Sequence, residues 1–289
     1  MMYYSVILGL VVILGVVLVV FTILRLSPND PIRTILGDMA TQEEVDAMRE
    51  EMGLNDPLLV RYVKYMGGVV TGDFGESWFS GYNVLEEFLS RVPNTLKLGI
   101  MAMFIAAVLG IPLGIIAAVK QYHVIDYVTL AGAMLFSSMP AFWFGLMAQV
   151  YICLKWGLLP ATGADSFSHF ILPAFTLAAA QLASQVRMTR TSMLEVIKQD
   201  YVRTARSKGA PETRIIIKHV LRNGMLPVVT QLGMSFALLV GGAIVTESVF
   251  AIPGVATLLI NAVKMRDVPV VMGIIVIIAL FVGIVNLLV

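Results

Sequence analysis

The residues with the strongest claim to chemistry lie in one stretch, Asp200-Tyr201-Val202-Arg203-Thr204-Ala205-Arg206-Ser207-Lys208-Gly209. Tyr201, Val202 and Ala205 share one side at helical spacing, while Arg203, Arg206 and Lys208 fall elsewhere. Gly209 can take a positive φ and end that helix, and Pro211 suits the first turn of the next. The second helix should run through Ile215-Ile216-Ile217 and Val220-Leu221 to Asn223, with the following apolar run beginning at Leu226-Pro227. A short helix ended by glycine, with small Ala205 permitting close approach, suits contact rather than catalysis. Two readings fit these residues: an element held out for a partner, or a basic loop resting on anionic headgroups.

Other chemistries are poorly supplied. No G-x-x-x-x-G-K-[ST] occurs, so the chain has no P-loop of its own for ATP. His123, His169 and His219 are scattered, and no H-E-x-x-H occurs, which disfavours a zinc site or a membrane metalloprotease. No catalytic residue and no metal ligand is assigned. Cys153 can form no internal disulfide and reads as a small packing residue. Glu247 and Lys97 are the main ionisable residues within apolar runs. Ion-coupled carriers place carboxylates or histidines at mid-membrane depth, so any transport here is expected to draw its energy from outside the chain.

The elements that must position these residues belong in a bilayer. Of 289 residues 58% are hydrophobic and 13% charged, against roughly 25% charged in a soluble domain. The expected fold is all-α, a polytopic membrane protein with about six transmembrane helices: Ser5–Leu24, Thr95–Val119, Tyr127–Leu154, Phe170–Met188, Met225–Phe250 and Val268–Val289. The first run is too long for a signal-peptide core and lacks a basic lead, so it is expected to be retained. Pro140 should kink the third span, with Ser137 and Ser138 bonding freed carbonyls. Gly110, Pro112 and Gly114 mark either close helix packing or a pathway wall in the second span. The apolar run at the C-terminus has no flanking charge, and a further tail is expected.

Charge sets the orientation. Nine of the 20 basic residues lie between Arg187 and Arg222, and twelve of the 19 acids between Asp30 and Glu87. Basic loops stay in the cytoplasm, so six spans place both termini inside and Ser27–Asn94 outside. The outer segment should be folded, with a Thr41/Glu44 capping box, a stop at Gly53 and a helix from Asp56-Pro57 carrying Leu58, Leu59, Tyr62, Val63 and Met66 on one side. A turn follows at Gly72-Asp73-Phe74-Gly75, and then an amphipathic lead into the second span. The organisation expected is residues 1–26 as the first transmembrane helix, 27–94 as an extracytoplasmic helical segment, and 95–289 as a five-helix core containing a coupling loop at 187–224.

The run from Asp200 to Pro227 resembles the EAA loop of permease subunits in bacterial ABC importers. Ala205, Gly209 and Leu226-Pro227 keep the general pattern, while Arg203 and Thr204 replace its first two residues. That departure, with His219-Val220-Leu221-Arg222-Asn223 and Pro227-Val228-Val229-Thr230, is similar to the dipeptide, oligopeptide and nickel subgroup. Asp30-Pro31, Gly53-Leu54, Met139-Pro140, Leu159-Pro160, Ile171-Leu172-Pro173 and Pro253-Gly254 fall in the same order as in that family. The resemblance implies a type I ABC importer-like permease in the bacterial inner membrane. By the same resemblance it would work with a second homologous permease, two cytoplasmic ATPases that hold ATP and Mg, an extracytoplasmic solute-binding protein and membrane lipid, and with no nucleic acid. Asp200, Tyr201, Arg203, Thr204, Ala205, Arg206, Lys208 and Gly209 would form the ATPase-coupling contact. Gln149, Gln181, Ser184, Gln185, Gln231 and Ser235 would line the path or bond helix to helix. Leu159-Pro160-Ala161-Thr162-Gly163-Ala164-Asp165 looks like permeases for small peptides, glutathione included. Nickel or a nickel chelate is the alternative substrate, and a secondary transporter or channel the more distant one.

Overall fold

The computed structural model describes residues 14–15, 17–22, 31–37 and 39–288. In chain order its helices are α1 (Pro31–Leu36), α2 (Gln42–Glu51), α3 (Leu58–Thr71), α4 (Val84–Val119), α5 (Val124–Ser138), α6 (Ala141–Ala148), α7 (Ser168–Ile197), α8 (Asp200–Ser207), α9 (Glu212–Ile215), α10 (Arg222–Gly242), α11 (Ile244–Val249), α12 (Val255–Met265) and α13 (Val268–Leu288). Wider π-helical turns extend α6 over Gln149–Lys155 and join α9 to α10 over Ile216–Leu221. The described residues contain no strand, only an isolated antiparallel bridge between Glu76 and Asn83. Most of the expected first span, and the stretch from Ser27 to Asp30, lie outside the described residues.

Two compact units are present, one of residues up to Pro93 together with Pro253–Leu288, the other Asn94–Ile252. In the first unit α12 and α13 bring Val255, Val270, Val271, Met272 and Ile274 against Phe74, Val84 and Phe88. In that unit the Thr41 N–H donates to Glu44 Oε2 at 2.8 Å and the Glu44 N–H to Thr41 Oγ1 at 3.4 Å, forming the expected capping box. Gly53 follows the helix with φ +63°. The packed stripe of α3 is Leu58, Tyr62, Tyr65, Met66 and Val69, whereas Leu59 and Val63 are exposed. This helix is apolar on two sides, so periodicity did not decide which side packs. The Gly75 N–H closes the expected turn on Asp73 Oδ1 at 2.9 Å.

The second unit is built along α7, whose buried face runs from Phe170 through Ala174, Ala178, Leu182 and Gln185 to Thr189 and Met193. Helix α4 approaches it closely. A Cβ on Gly110 would lie 2.7 Å from Gln185 Cγ, and one on Gly114 would lie 2.5 Å from Thr189 Cβ. These glycines are therefore packing positions. The expected third span is more than kinked, since its two arms meet at 94°. Met139 is extended at φ −76°, ψ 131°, because a proline pushes the preceding residue out of the helical region. Ser137 and Ser138 both donate to the Met134 carbonyl, at 3.1 and 2.8 Å.

Two further boundaries differ from expectation. α7 continues unbroken past Arg187 to Ile197, so the expected loop from 187 starts inside a helix. The run expected to start at Leu226-Pro227 is already helical from Arg222, and it breaks at Ala243 after the weak helix formers Gly241-Gly242. Among the described residues α4 alone is long and apolar enough to cross a membrane, and the bent α5–α6 pair passes together as a second. The polar residues Gln181, Ser184, Gln185 and Thr189 lower the hydropathy of α7. A buried helix can carry such residues because its neighbours, rather than lipid, surround them.

Candidate coupling element and inner polar residues

Helix α8 is held by backbone geometry and one apolar anchor. Gln199 is extended ahead of it, and Asp200 stands in its first turn, where a negative charge suits the helix dipole. At the far end Gly209 has φ +77°. The Ala210 N–H reaches the Ala205 carbonyl at 3.3 Å and the Gly209 N–H reaches that of Arg206 at 2.9 Å. These two bonds make a Schellman cap, and its usual apolar contact is present, since Ala205 and Ala210 pack into the same cluster. Val202 is fully buried there with Ala118, Met193, Ile215 and Val220. Burying Val202, Met193, Ile215 and Val220 contributes about 1.5–3 kcal/mol each.

Charge fixes the turn into α9. The Arg206 guanidinium donates twice to Glu212, Nη2 to Oε1 at 2.6 Å and Nε to Oε2 at 3.1 Å. Hydrogen bonding from Arg206, against a smaller opposing effect of burial, holds the Glu212 carboxyl below its ordinary range. Tyr201 Oη accepts from Asn223 Nδ2 at 2.9 Å, so the start of α8 is tied to the start of α10. Arg203 pairs with Asp200 one turn away, and both side chains are more than 80% exposed.

The expected coupling residues therefore divide. Asp200, Arg203, Thr204 and Lys208 present an exposed face, with Arg206 and Tyr201 half engaged in fixing the hairpin. Ala205 turns inward, so its small size serves packing within this chain. A Cβ on Gly209 would meet nothing within 4 Å; the position requires glycine for its backbone angle.

The inner polar residues also separate. Gln149 Nε2 donates to the carbonyls of Ala161 at 2.8 Å and Val249 at 3.0 Å, bracing a loop and the end of α11. Gln185 is buried against Gly110, and its Nε2 has no partner among the described residues. Gln231 Nε2 reaches the buried Ser235 Oγ at 3.5 Å along the same helix. Gln181 and Ser184 are half-buried on α7.

Two polar contacts were not foreseen. Arg190 grips the buried Asp126 carboxylate with two bonds of 2.8 Å, joining α7 to α5. Thr95 Oγ1 donates to the fully buried Glu247 at 2.6 Å. Neither pairing was assigned from the sequence, because partners 64 and 152 positions apart leave no local signal.

Residues 110–289 match the family described as binding-protein-dependent transport system inner membrane component, and residues 2–99 match its N-terminal counterpart. The chain belongs to this permease family. The permease is 42% identical to the glutathione transport system permease protein GsiC of Escherichia coli (strain K12), over 98% of this chain and 92% of that protein. It is 39% identical to the dipeptide transport system permease protein DppB of Escherichia coli (strain K12), with coverages of 98% and 93%. For the oligopeptide transport system permease protein AppB of Bacillus subtilis (strain 168) the figures are 37%, 96% and 91%. Its fold is similar to the inward-facing MetNI methionine ABC transporter, with TM-score 0.53 at 21% identity over 70% of this chain and 96% of that one. An amino acid ABC transporter gives 0.54 at 17% identity, over 71% and 91%. The permease is thus an all-helical membrane component of an ABC importer, a transport subunit rather than an enzyme, working with ATPase and binding-protein components.

Proposed function

We propose that this permease forms half of the translocation path of an ATP-driven importer for small peptides delivered by a solute-binding protein. The observation that carries the mechanism is the Asp200–Gly209 element: a capped helix anchored through Val202, with a charged face left exposed. Rigid-body coupling needs such a compact contact, because a floppy loop would absorb a partner's motion instead of passing it on. The exposed Asp200, Arg203, Thr204 and Lys208 would meet one of two cytoplasmic ATPases, which hold ATP and Mg. On this reading the basic hairpin and the N-terminus lie in the cytoplasm and the segment before α4 lies outside. A second homologous permease completes the path, with the half-buried Gln181, Ser184 and Gln231 as its polar lining and membrane lipid around both. The names of the relatives, for dipeptide, oligopeptide and glutathione transport, support peptide as the cargo.

Uptake by the complete importer, reconstituted with its ATPases and binding protein, tests the reading. Labelled dialanine, a longer oligopeptide, glutathione and nickel ion would be offered in turn. ATP-dependent entry of at least one of the peptides is expected. Nickel entry with no peptide entry would overturn the proposal, as would uptake that survives inactivation of the ATPases.

A further inference from the structure

Lys97 lies on α4, the helix suited to cross a membrane. It stands near the outer end of the apolar run, where a long lysine side chain can carry its ammonium to a polar surface. Its ammonium stands 5.9 Å from the centroid of the buried Phe170 ring, within the range of a cation–π contact that orients the side chain. The same residue lines a cavity of about 390 Å³ whose other charged wall is Asp165, on the loop before α7. Among the described residues Lys97 and Asp165 form no ion pair with each other. Between them the walls are mostly apolar, with Ile100, Met101 and Phe167. The volume falls within the roughly 300–1,000 Å³ typical of small-molecule sites.

We infer that Lys97 and Asp165 clamp the two charged ends of a short peptide. Lys97 would bond the terminal carboxylate and Asp165 the terminal ammonium. A zwitterion of this kind is matched at both ends by opposite charges held apart, whereas a wall of one sign matches only one end. The apolar walls accept side chains without demanding a particular shape, and Met101 adapts to several. In the proposed orientation both residues fall on the outer side, Lys97 just past Asn94 and Asp165 between the third and fourth spans. The inference rests on the peptide-import reading and adds a recognition step in the permease itself.

The test uses the complete importer in proteoliposomes, with binding protein saturated by each probe in turn: dialanine, dialanine amide and N-acetyl-dialanine. The wild type should import dialanine about tenfold faster than either blocked form, the scale of one charge-assisted contact. Lys97→Met should bring dialanine down to the rate of the amide, and Lys97→Arg should restore it. Asp165→Asn should remove the preference over the N-acetyl form and leave the preference over the amide. Variants that import dialanine at the wild-type rate would overturn the clamp, as would an equal loss for all three probes. Failure of the wild type to import any of the three would instead remove the peptide reading, and the clamp with it.

Discussion

At Gly209 the backbone has φ +77° and a Cβ would meet nothing within 4 Å. At Gly114 the backbone is helical and a Cβ would fall 2.5 Å from Thr189 Cβ and 2.8 Å from the Val186 carbonyl. The α8 hairpin thus needs glycine for its angle and the inner helix contact needs it for space. The hairpin is fixed by local bonds: a Schellman cap and the Arg206–Glu212 pair. The α4–α7 contact is fixed by what lies 75 positions away. Substitutions at the two sites should therefore fail differently, one in transmission and the other in assembly.

Gly114→Val sharpens the contrast most. Overpacking a close contact costs about 1–3 kcal/mol, and more where backbone must move. The variant should melt well below the wild type in detergent, and alanine should already show part of the loss. An unchanged melting temperature would mean that α4 and α7 are not in contact as described. At Gly209 a β-branched residue in the left-handed region costs about 1–2 kcal/mol, and the strain is confined to a surface turn. Gly209→Val should accordingly melt close to the wild type, with Gly209→Asn closer still, since asparagine tolerates that angle.

The smallest effect belongs to the ion pair across the turn. Glu212 has a folded pKa below its unfolded one. Its contribution is present at neutral pH and is lost as the pH falls through the depressed value. Because both side chains are about half exposed, Glu212→Gln should cost no more than about 1 kcal/mol. The variant should also flatten the acid limb of a pH–stability curve. An equally steep acid limb in Glu212→Gln would assign that loss to other carboxylates.

Local order was legible in the residues. Thr41 with Glu44, Gly53, Gly72, Gly209 and Pro140 each announce a start, a stop or a bend, and each stands where its chemistry placed it. The angle at Met139-Pro140 was not legible, because proline removes a bond without saying where the next helix packs. The inward turn of Ala205 was hidden for a similar reason: spacing gives a side of α8, and Met193 and Ile215 decide what lies against it. Asp126 with Arg190 and Thr95 with Glu247 are pairings of distant residues, for which one sequence carries no signal. The packing of α12 and α13 with Phe74 and Val84 was not legible on the same ground, since nothing local announces it.

The central claim is that the α8 hairpin transmits rather than merely anchors. It is tested most directly by measuring ATP hydrolysis and peptide uptake on one reconstituted importer carrying Gly209→Val. The account predicts that the variant inserts, retains hydrolysis and loses most of its uptake. Uptake and hydrolysis both at wild-type levels would contradict it and leave the basic hairpin as an anchor to the membrane surface.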